Sequence, residues 1–410
     1  MYKLFMRACG LGGFFTITMS ENLTNCISRS AEDGECPRCR VRKPEELIAE
    51  VNNLMARGAK RADPNARAIA WNWAWGEDWA NKVPAYLTEG QIVQCTSEER
   101  LPTHIGGIDG FVVDYTMSMC GPGPKAKKVW DAAIASGHET SAKVQFNNTW
   151  EMSAVPWLPV FDKVAGHVNN LKQAGVKHLQ MSWTLGGYPS PNLKLAGYLM
   201  DGKGDVASFL KEWLGEKLGE VAGSAQRMMS EAFSEFPFHV GVVYVGPTNY
   251  GPMAPFFIKP TGKSATMIGF PYDALDNWRA IYPRDVFAGQ FKKLVHGWRT
   301  GVEMMAPYEG TNTDFDDMAR MARATLCHFE SAYHHILFVM AREAGDNVEI
   351  LRLTRAEREN VKTMIALRRQ DSRLGYEASN HYYYSMQDLL EKLINLQYIE
   401  EEFIMRNSQF

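Results

Sequence analysis

Apolar residues fall into short runs separated by helically spaced ones over roughly the first half of the chain. Phe14–Met19 is aromatic and β-branched, which predicts a strand. From Pro44 to Arg61, Leu47, Ile48, Val51, Leu54 and Met55 recur at helical spacing. Pro44 stands near the start of that helix, and Glu45 and Glu46 occupy its first turn, where the helix dipole favours negative charge. Asp63-Pro-Asn65 reads as a turn, and strands are predicted at Ala68–Trp75, Gln91–Thr96 and Gly110–Tyr115. A helix over Pro124–Ser136, a strand over Ala142–Phe146, a helix over Val160–Ala174 and a strand over Val176–Trp183 complete the series.

Repeated strand–helix alternation implies a parallel sheet with right-handed crossovers. No strand is followed by a GxGxxG or Walker loop, so a nucleotide-binding sheet loses its main support. The strand ends carry acids, amides and Trp instead, as a (β/α) barrel displays a site. The run supplies fewer strands than a closed (β/α)8 barrel needs. The expected fold is therefore α/β: an incomplete barrel, its C-terminal half, over residues 1–204. Beyond it the spacing changes. Val206–Phe233, Pro283–Met305, Asp314–Glu343, Arg355–Arg369 and Asp388–Glu402 read as helices, with one strand at His239–Val245 and a Pro-, Gly- and aromatic-rich loop over Gly246–Phe257. A mostly helical domain is expected over 205–410.

Composition narrows the function. The 410 residues carry a net charge of -3, with no basic face advertised, so nucleic acid is not an expected partner. The 11 Trp, 16 Tyr and 20 Phe suit a carbohydrate binder, whose indoles stack on sugar rings, and equally a large ordinary core. No apolar run reaches the length of about 18 residues that a membrane span needs. Lys3, Arg7 and the run from Leu11 mimic a signal peptide, but no small-residue cleavage site follows, and the run reads as a core strand. A cytoplasmic protein is the expectation for the chain as it stands. The 7 cysteines are odd in number and scattered, against a disulfide scaffold. Cys36-Pro-Arg-Cys39 with Cys26 could supply three zinc ligands or be free thiols in a loop.

In a barrel, residues just past each strand converge on one mouth. Here these are Ser20-Glu-Asn22, Asn72–Trp75, Ser97-Glu-Glu99, Asp114-Tyr115, Asn147–Glu151 and Ser182-Trp-Thr184. Glycosidic cleavage needs one carboxylic acid to protonate the leaving oxygen and a second group to stabilise or attack the anomeric carbon. Glu21, Glu98 and Glu151 are the candidate catalytic residues, expected to share one Trp-walled pocket. Asn22, Trp73, Asp114, Asn147, Asn148, Trp150, Trp183 and Tyr188 are the candidate sugar contacts. Each has a plainer reading: Glu21 as a turn cap, Glu151 as a buried partner of Lys143 or an Arg, Asp114 as a backbone cap. Trp71, Trp73 and Trp75 would share one strand face. Cys327-His328 and His334-His335 read as structural. No HExxH, nucleophile elbow or EF-hand occurs. No cofactor and no metal at the mouth are expected.

Ser20–Asn25, Lys143–Glu151, Leu179–Asn192 and, in the helical part, Arg373–Tyr384 resemble large bacterial proteins of uncharacterised activity described as hexosaminidase-like, with a barrel similar to glycoside hydrolase family 20. The resemblance implies a β-linked amino sugar or related glycan as substrate. It also implies an accessory domain and first barrel strands ahead of Gly12, which this sequence lacks. Family 20 uses an adjacent Asp-Glu pair, whereas Ser20 precedes Glu21 here. A two-carboxylate retaining mechanism, with Glu21 as acid/base and Glu151 as nucleophile, is the alternative within the enzyme reading. A non-catalytic carbohydrate-binding relic, or a homo-oligomer that completes the barrel, are the alternatives outside it.

Overall fold

The structure is a computed structural model that describes residues 1–8, 10–29, 36–182, 188–245, 247–264, 273–376 and 383–407. Helix α1 (Tyr2–Arg7) precedes strand β1 (Gly13–Ile17), helix α2 (Pro44–Lys60), β2 (Arg67–Trp71) and β3 (Gln91–Thr96). A hairpin, β4 (Pro102–Ile105) and β5 (Ile108–Phe111), leads to α3 (Pro124–Ala135), β6 (Glu139–Val144), α4 (Phe161–Gln173) and β7 (His178–Met181). β1, β2, β3, β6 and β7 form a parallel sheet in that order, curled as a half-barrel.

The period-2 alternation of each strand assigns the two faces. Ala68, Ala70, Val93, Cys95, Ala142 and Val144 point outward and are buried on the side that α2 and α3 cover. Their small volume lets the helices seat closely. The concave face carries Phe15, Ile69, Ile92, Gln94, Ser141 and Gln180, which line an open hollow of about 490 Å³. A polar rung crosses this face. Gln94 Nε2 donates to Gln180 Oε1 at 2.6 Å, and Ser141 Oγ donates to Gln94 Oε1 at 2.9 Å.

Two predicted strands turn out differently. Gly110–Tyr115 does not join the parallel sheet. Its first two residues, Gly110 and Phe111, end β5, which pairs antiparallel to β4 through Gly106-Gly107. Both glycines have positive φ, 60° and 79°, as a two-residue hairpin turn whose twist matches its strands requires. His239–Val245, β-branched and strand-like in propensity, is instead mostly helix α8 (Val240–Val245). Val242 and Val243 bury into the surrounding helices, so packing overrides local preference.

The remaining elements are α5 (Pro191–Met200), α6 (Val206–Leu214), α7 (Glu216–Phe233), α9 (Leu275–Trp278), α10 (Arg284–Met305), α11 (Thr313–Ala344), α12 (Asn347–Gln370) and α13 (Met386–Asn407). Phe233 packs edge to face on Phe236 and Trp298, and Trp298 does so on Phe329, where α7, α10 and α11 meet. The carboxylate of Glu357 is fully buried and ties helices together. Ser331 Oγ lies 2.5 Å from it, His334 Nδ1 2.8 Å and Lys392 Nζ 3.7 Å. His328 is fully buried between the Thr248 carbonyl and the Tyr384 hydroxyl, each at 2.9 Å.

The half-barrel and the helices share one continuous hydrophobic core, running from Met19 to Phe403. Polar links cross between them. Ser153 Oγ meets Tyr383 Oη at 2.6 Å, and Trp157 Nε1 donates to Asp317 at 3.3 Å. Among the described residues no helix is long and apolar enough to cross a membrane.

Candidate active site

At the C-terminal ends of the strands the backbone bends sharply. Ser20 after β1, Ala74 after β2, Arg100 after β3 and Ser182 after β7 have φ of 63°, 60°, 65° and 65°. These are left-handed conformations in residues with a Cβ, at about 1 kcal/mol or more each. The strain is thus concentrated at the mouth, and each bend re-aims the residues just past its strand. Trp73 and Trp75 show the effect: the strand ends at Trp71, so the three indoles do not share one face. Trp73 stacks on Trp71 with ring centroids 5.2 Å apart, while Trp75 is buried, donates to Thr18 Oγ1 and lies against Trp79.

A cleft of about 480 Å³ opens at this mouth, with Glu21, Asn22, Trp71, Trp73, Asp114 and Trp150 in its wall, together with Ile17, Tyr115, Gln145 and Tyr244. Glu21 sits in a loop that bonds to itself. Thr24 Oγ1 and Asn25 Nδ2 both donate to the Thr18 carbonyl, at 2.8 and 3.0 Å, and Ser20 N donates to Ser28 O at 2.5 Å. The loop presents Glu21 and Asn22 to solvent. Trp73 Nε1 donates to Glu21 Oε2 at 3.2 Å, which fixes the indole and the carboxylate relative to one another.

Asp114 is the second carboxylate in the wall, 5% exposed. Burial pushes its carboxyl above the usual range, and the hydroxyl of Tyr244, donating to Oδ2, works against that push. Tyr115 N also donates to Asp114, at 2.7 Å. Tyr244 comes from α8 and meets Trp150 edge-on, with centroids 5.2 Å apart. The helical region further supports Trp150 through Asn249, whose Nδ2 donates to the Trp150 carbonyl at 2.9 Å. The mouth therefore holds an exposed carboxylate and a buried carboxyl that burial raises, between aromatic walls. That is the donor set of acid–base chemistry on a sugar.

The other two expected acids are elsewhere. Glu151 is fully buried and spent on the backbone just beyond Asp114. Thr116 Oγ1, Met117 N and Thr149 Oγ1 donate to it at 2.7, 2.7 and 2.6 Å, and Ser118 N approaches to 3.3 Å. Glu98 is also fully buried, with neither oxygen in a hydrogen bond among the described residues. Burial raises its carboxyl well above the ordinary range, and Asp114 and Glu151 add to the effect. His167 Nδ1 lies 3.7 Å away, and burial lowers that imidazole to about 3, so it offers no charge. Glu99 pairs with Lys125 at 2.5 Å. The structure thus brings Glu21 and Asp114 to one wall and does not bring Glu98 or Glu151 there.

Asn147 and Asn148 are buried supports. Asn147 Nδ2 holds the Tyr188 carbonyl at 2.7 Å, and Asn148 Nδ2 holds Ser153 O and Val155 O at 3.1 and 2.6 Å. Tyr188 is half-buried beside them and Trp183 lies outside the described residues. Lys143 is not a partner of Glu151. It lies behind the cleft, with Nζ 5.5 Å from the centres of both the Trp71 and Tyr115 rings, and burial lowers its ammonium to about 7. Tyr244, Tyr115 and Gln145 are wall residues that sequence reasoning did not single out. Tyr115 and Gln145 sat beside weighed positions, whereas Tyr244 was hidden in a run read as a strand.

No family model matches the chain, and no curated protein matches it in sequence. Among solved structures it is similar to a family 138 glycoside hydrolase targeting the pectin rhamnogalacturonan II. The TM-score is 0.50 at 10% identity, over 93% of this chain and 66% of that one. It is also similar to a family 89 glycoside hydrolase from Clostridium perfringens in complex with 2-acetamido-1,2-dideoxynojirmycin. There the TM-score is 0.49 at 9% identity, over 87% of this chain and 41% of that one. The chain thus spans under two thirds of either relative's length. At such identities the likeness shows the fold alone, one shared with the family 138 enzyme. It does not single out family 20.

Proposed function

We propose that the chain is the sugar-processing part of a glycoside hydrolase, acting on a β-linked amino sugar or related glycan through carboxylate acid–base catalysis. The observation that carries this reading is one cleft, at the strand C-termini, walled by Trp71, Trp73, Trp150 and Tyr244 and containing both Glu21 and Asp114. Asp114, whose carboxyl burial raises, is the general acid in this reading. Glu21, exposed and held by the Trp73 indole, is the carboxylate that attacks or activates water. In this reading Asn22 and Gln145, both in the cleft wall, bind hydroxyls. The fold shared with a family 138 enzyme supports the class, and the resemblance to hexosaminidase-like proteins supports the amino sugar.

A second reading, a non-catalytic carbohydrate binder, has its own observation: Glu98 and Glu151 lie off the wall. One experiment separates the two. The chain is assayed on aryl α- and β-N-acetylhexosaminides beside Glu21→Gln and Asp114→Asn, with sugar binding measured on all three. The enzyme reading expects β-anomer hydrolysis that falls at least about 100-fold in each variant. Binding without turnover in the parent chain decides for the second reading. Equal turnover in parent and Glu21→Gln removes Glu21 from the chemistry.

A further inference from the structure

We propose that Cys26, Cys36 and Cys39 form a thiolate site for a zinc-class divalent ion, beside the sugar cleft and independent of what the cleft does. The three sulfurs lie within 4.8 Å of one another, all three cysteines are free, and they arrive from two separately built turns. Cys36-Pro-Arg-Cys39 is closed by Cys39 N and Arg40 N donating to Cys36 O, at 3.1 and 3.0 Å. Cys26 is delivered by the Asn25 turn, whose Oδ1 accepts from Ile27 N at 2.9 Å while buried Ile27 and Ser28 anchor the far side of the turn.

Thiols gain little from meeting one another, and three thiolates repel. Zinc–sulfur bonds of about 2.3 Å in a tetrahedron put sulfurs roughly 3.8 Å apart, inside the spacing found here. Soft sulfur donors select zinc and its neighbours over magnesium or calcium. Among the described residues no further His, Cys, Asp or Glu joins the group. Cys26 is solvent-exposed, so the ion has access. Cys26 belongs to the same self-bonded loop as Glu21 and Asn22, so an ion here ties that loop to the turn leading into α2 and sets the position of one wall of the cleft.

The test uses the full chain, reduced and stripped of metal. Cobalt(II) is titrated in and thiolate-to-cobalt charge-transfer absorption is followed. Zinc is then added, free metal removed and the bound metal counted by mass spectrometry. The expected result is a tetrahedral thiolate spectrum saturating at one cobalt per chain, displaced by zinc. The bound metal is lost in Cys36→Ser and Cys39→Ser and retained in Cys120→Ser. The parent titration needs no variant to fold. Absence of the charge-transfer band in the reduced parent chain overturns the proposal. So does alkylation mapping of the unreduced chain that finds two of the three sulfurs in a disulfide.

Discussion

Glu151 offers the sharpest perturbation, because the structure gives it a task that can be removed. Its carboxylate receives two hydroxyls and the Met117 N–H within 2.7 Å, with Ser118 N at the edge of reach, all away from water. These bonds fix Thr116–Ser118, the segment next to Asp114 and Tyr115 in the cleft wall. Hydrogen bonds to a charged group contribute about 1.5–3 kcal/mol each. In Glu151→Gln the charge is lost and an amide N–H₂ faces donors, so two of the bonds fail. The expected destabilisation is about 3–5 kcal/mol. Glu151→Ala strands every donor and adds a cavity, for about 5 kcal/mol or more, a large part of the 5–15 kcal/mol by which domains are stable. Guanidinium unfolding followed by tryptophan fluorescence reads the loss directly. A Glu151→Gln chain with the parent's unfolding midpoint and no turnover would refute the reasoning, since that is how a nucleophile touching sugar behaves.

The same contacts have other consequences. Tyr244→Phe removes the donor that favours ionised Asp114, so the carboxyl rises further and the alkaline limb of the pH–rate profile moves up; an unmoved limb excludes Asp114 as the acid. For Glu98 the native pKa is raised, so between the ordinary value of 4.5 and the native one the folded chain holds the extra proton and stability falls as pH rises. Glu98→Gln should flatten that decline, and urea melts from about pH 5 upward in which the variant's stability falls in parallel with the parent's would contradict it. Trp73→Ala takes away the indole that stacks on Trp71 and holds Glu21, and calorimetric titration should show sugar affinity falling about tenfold. Unchanged affinity would move the sugar elsewhere.

Much of the fold was legible because its signals are local. Strands β1, β2, β3, β6 and β7 are short apolar or alternating runs, and α2 announces itself by Pro44 and two acids in its first turn. The misread segments are those decided by packing or by a turn. Val240–Val245 has strand composition, but it lies among helices and buries as one. Gly106-Gly107 redirects the run after it into a hairpin. The site was legible as a ring of strand-end acids, but not which acid turns inward. Asp114 was weighed as a ligand and Glu151 as a nucleophile from the same pattern. Only the fold shows that Thr116, Met117 and Thr149 close around one of them while Tyr244, 130 residues distant in sequence, meets the other. Long-range pairing of that kind leaves no periodicity to read.

The central claim is that Glu21 and Asp114 face the same bound sugar. A crystal structure of the chain soaked with an N-acetylhexosamine iminosugar tests it most directly. The expected result is a ring against Trp73, with both carboxylates within hydrogen-bond distance of the inhibitor. An inhibitor bound away from this cleft, or one that touches neither carboxylate, would contradict it.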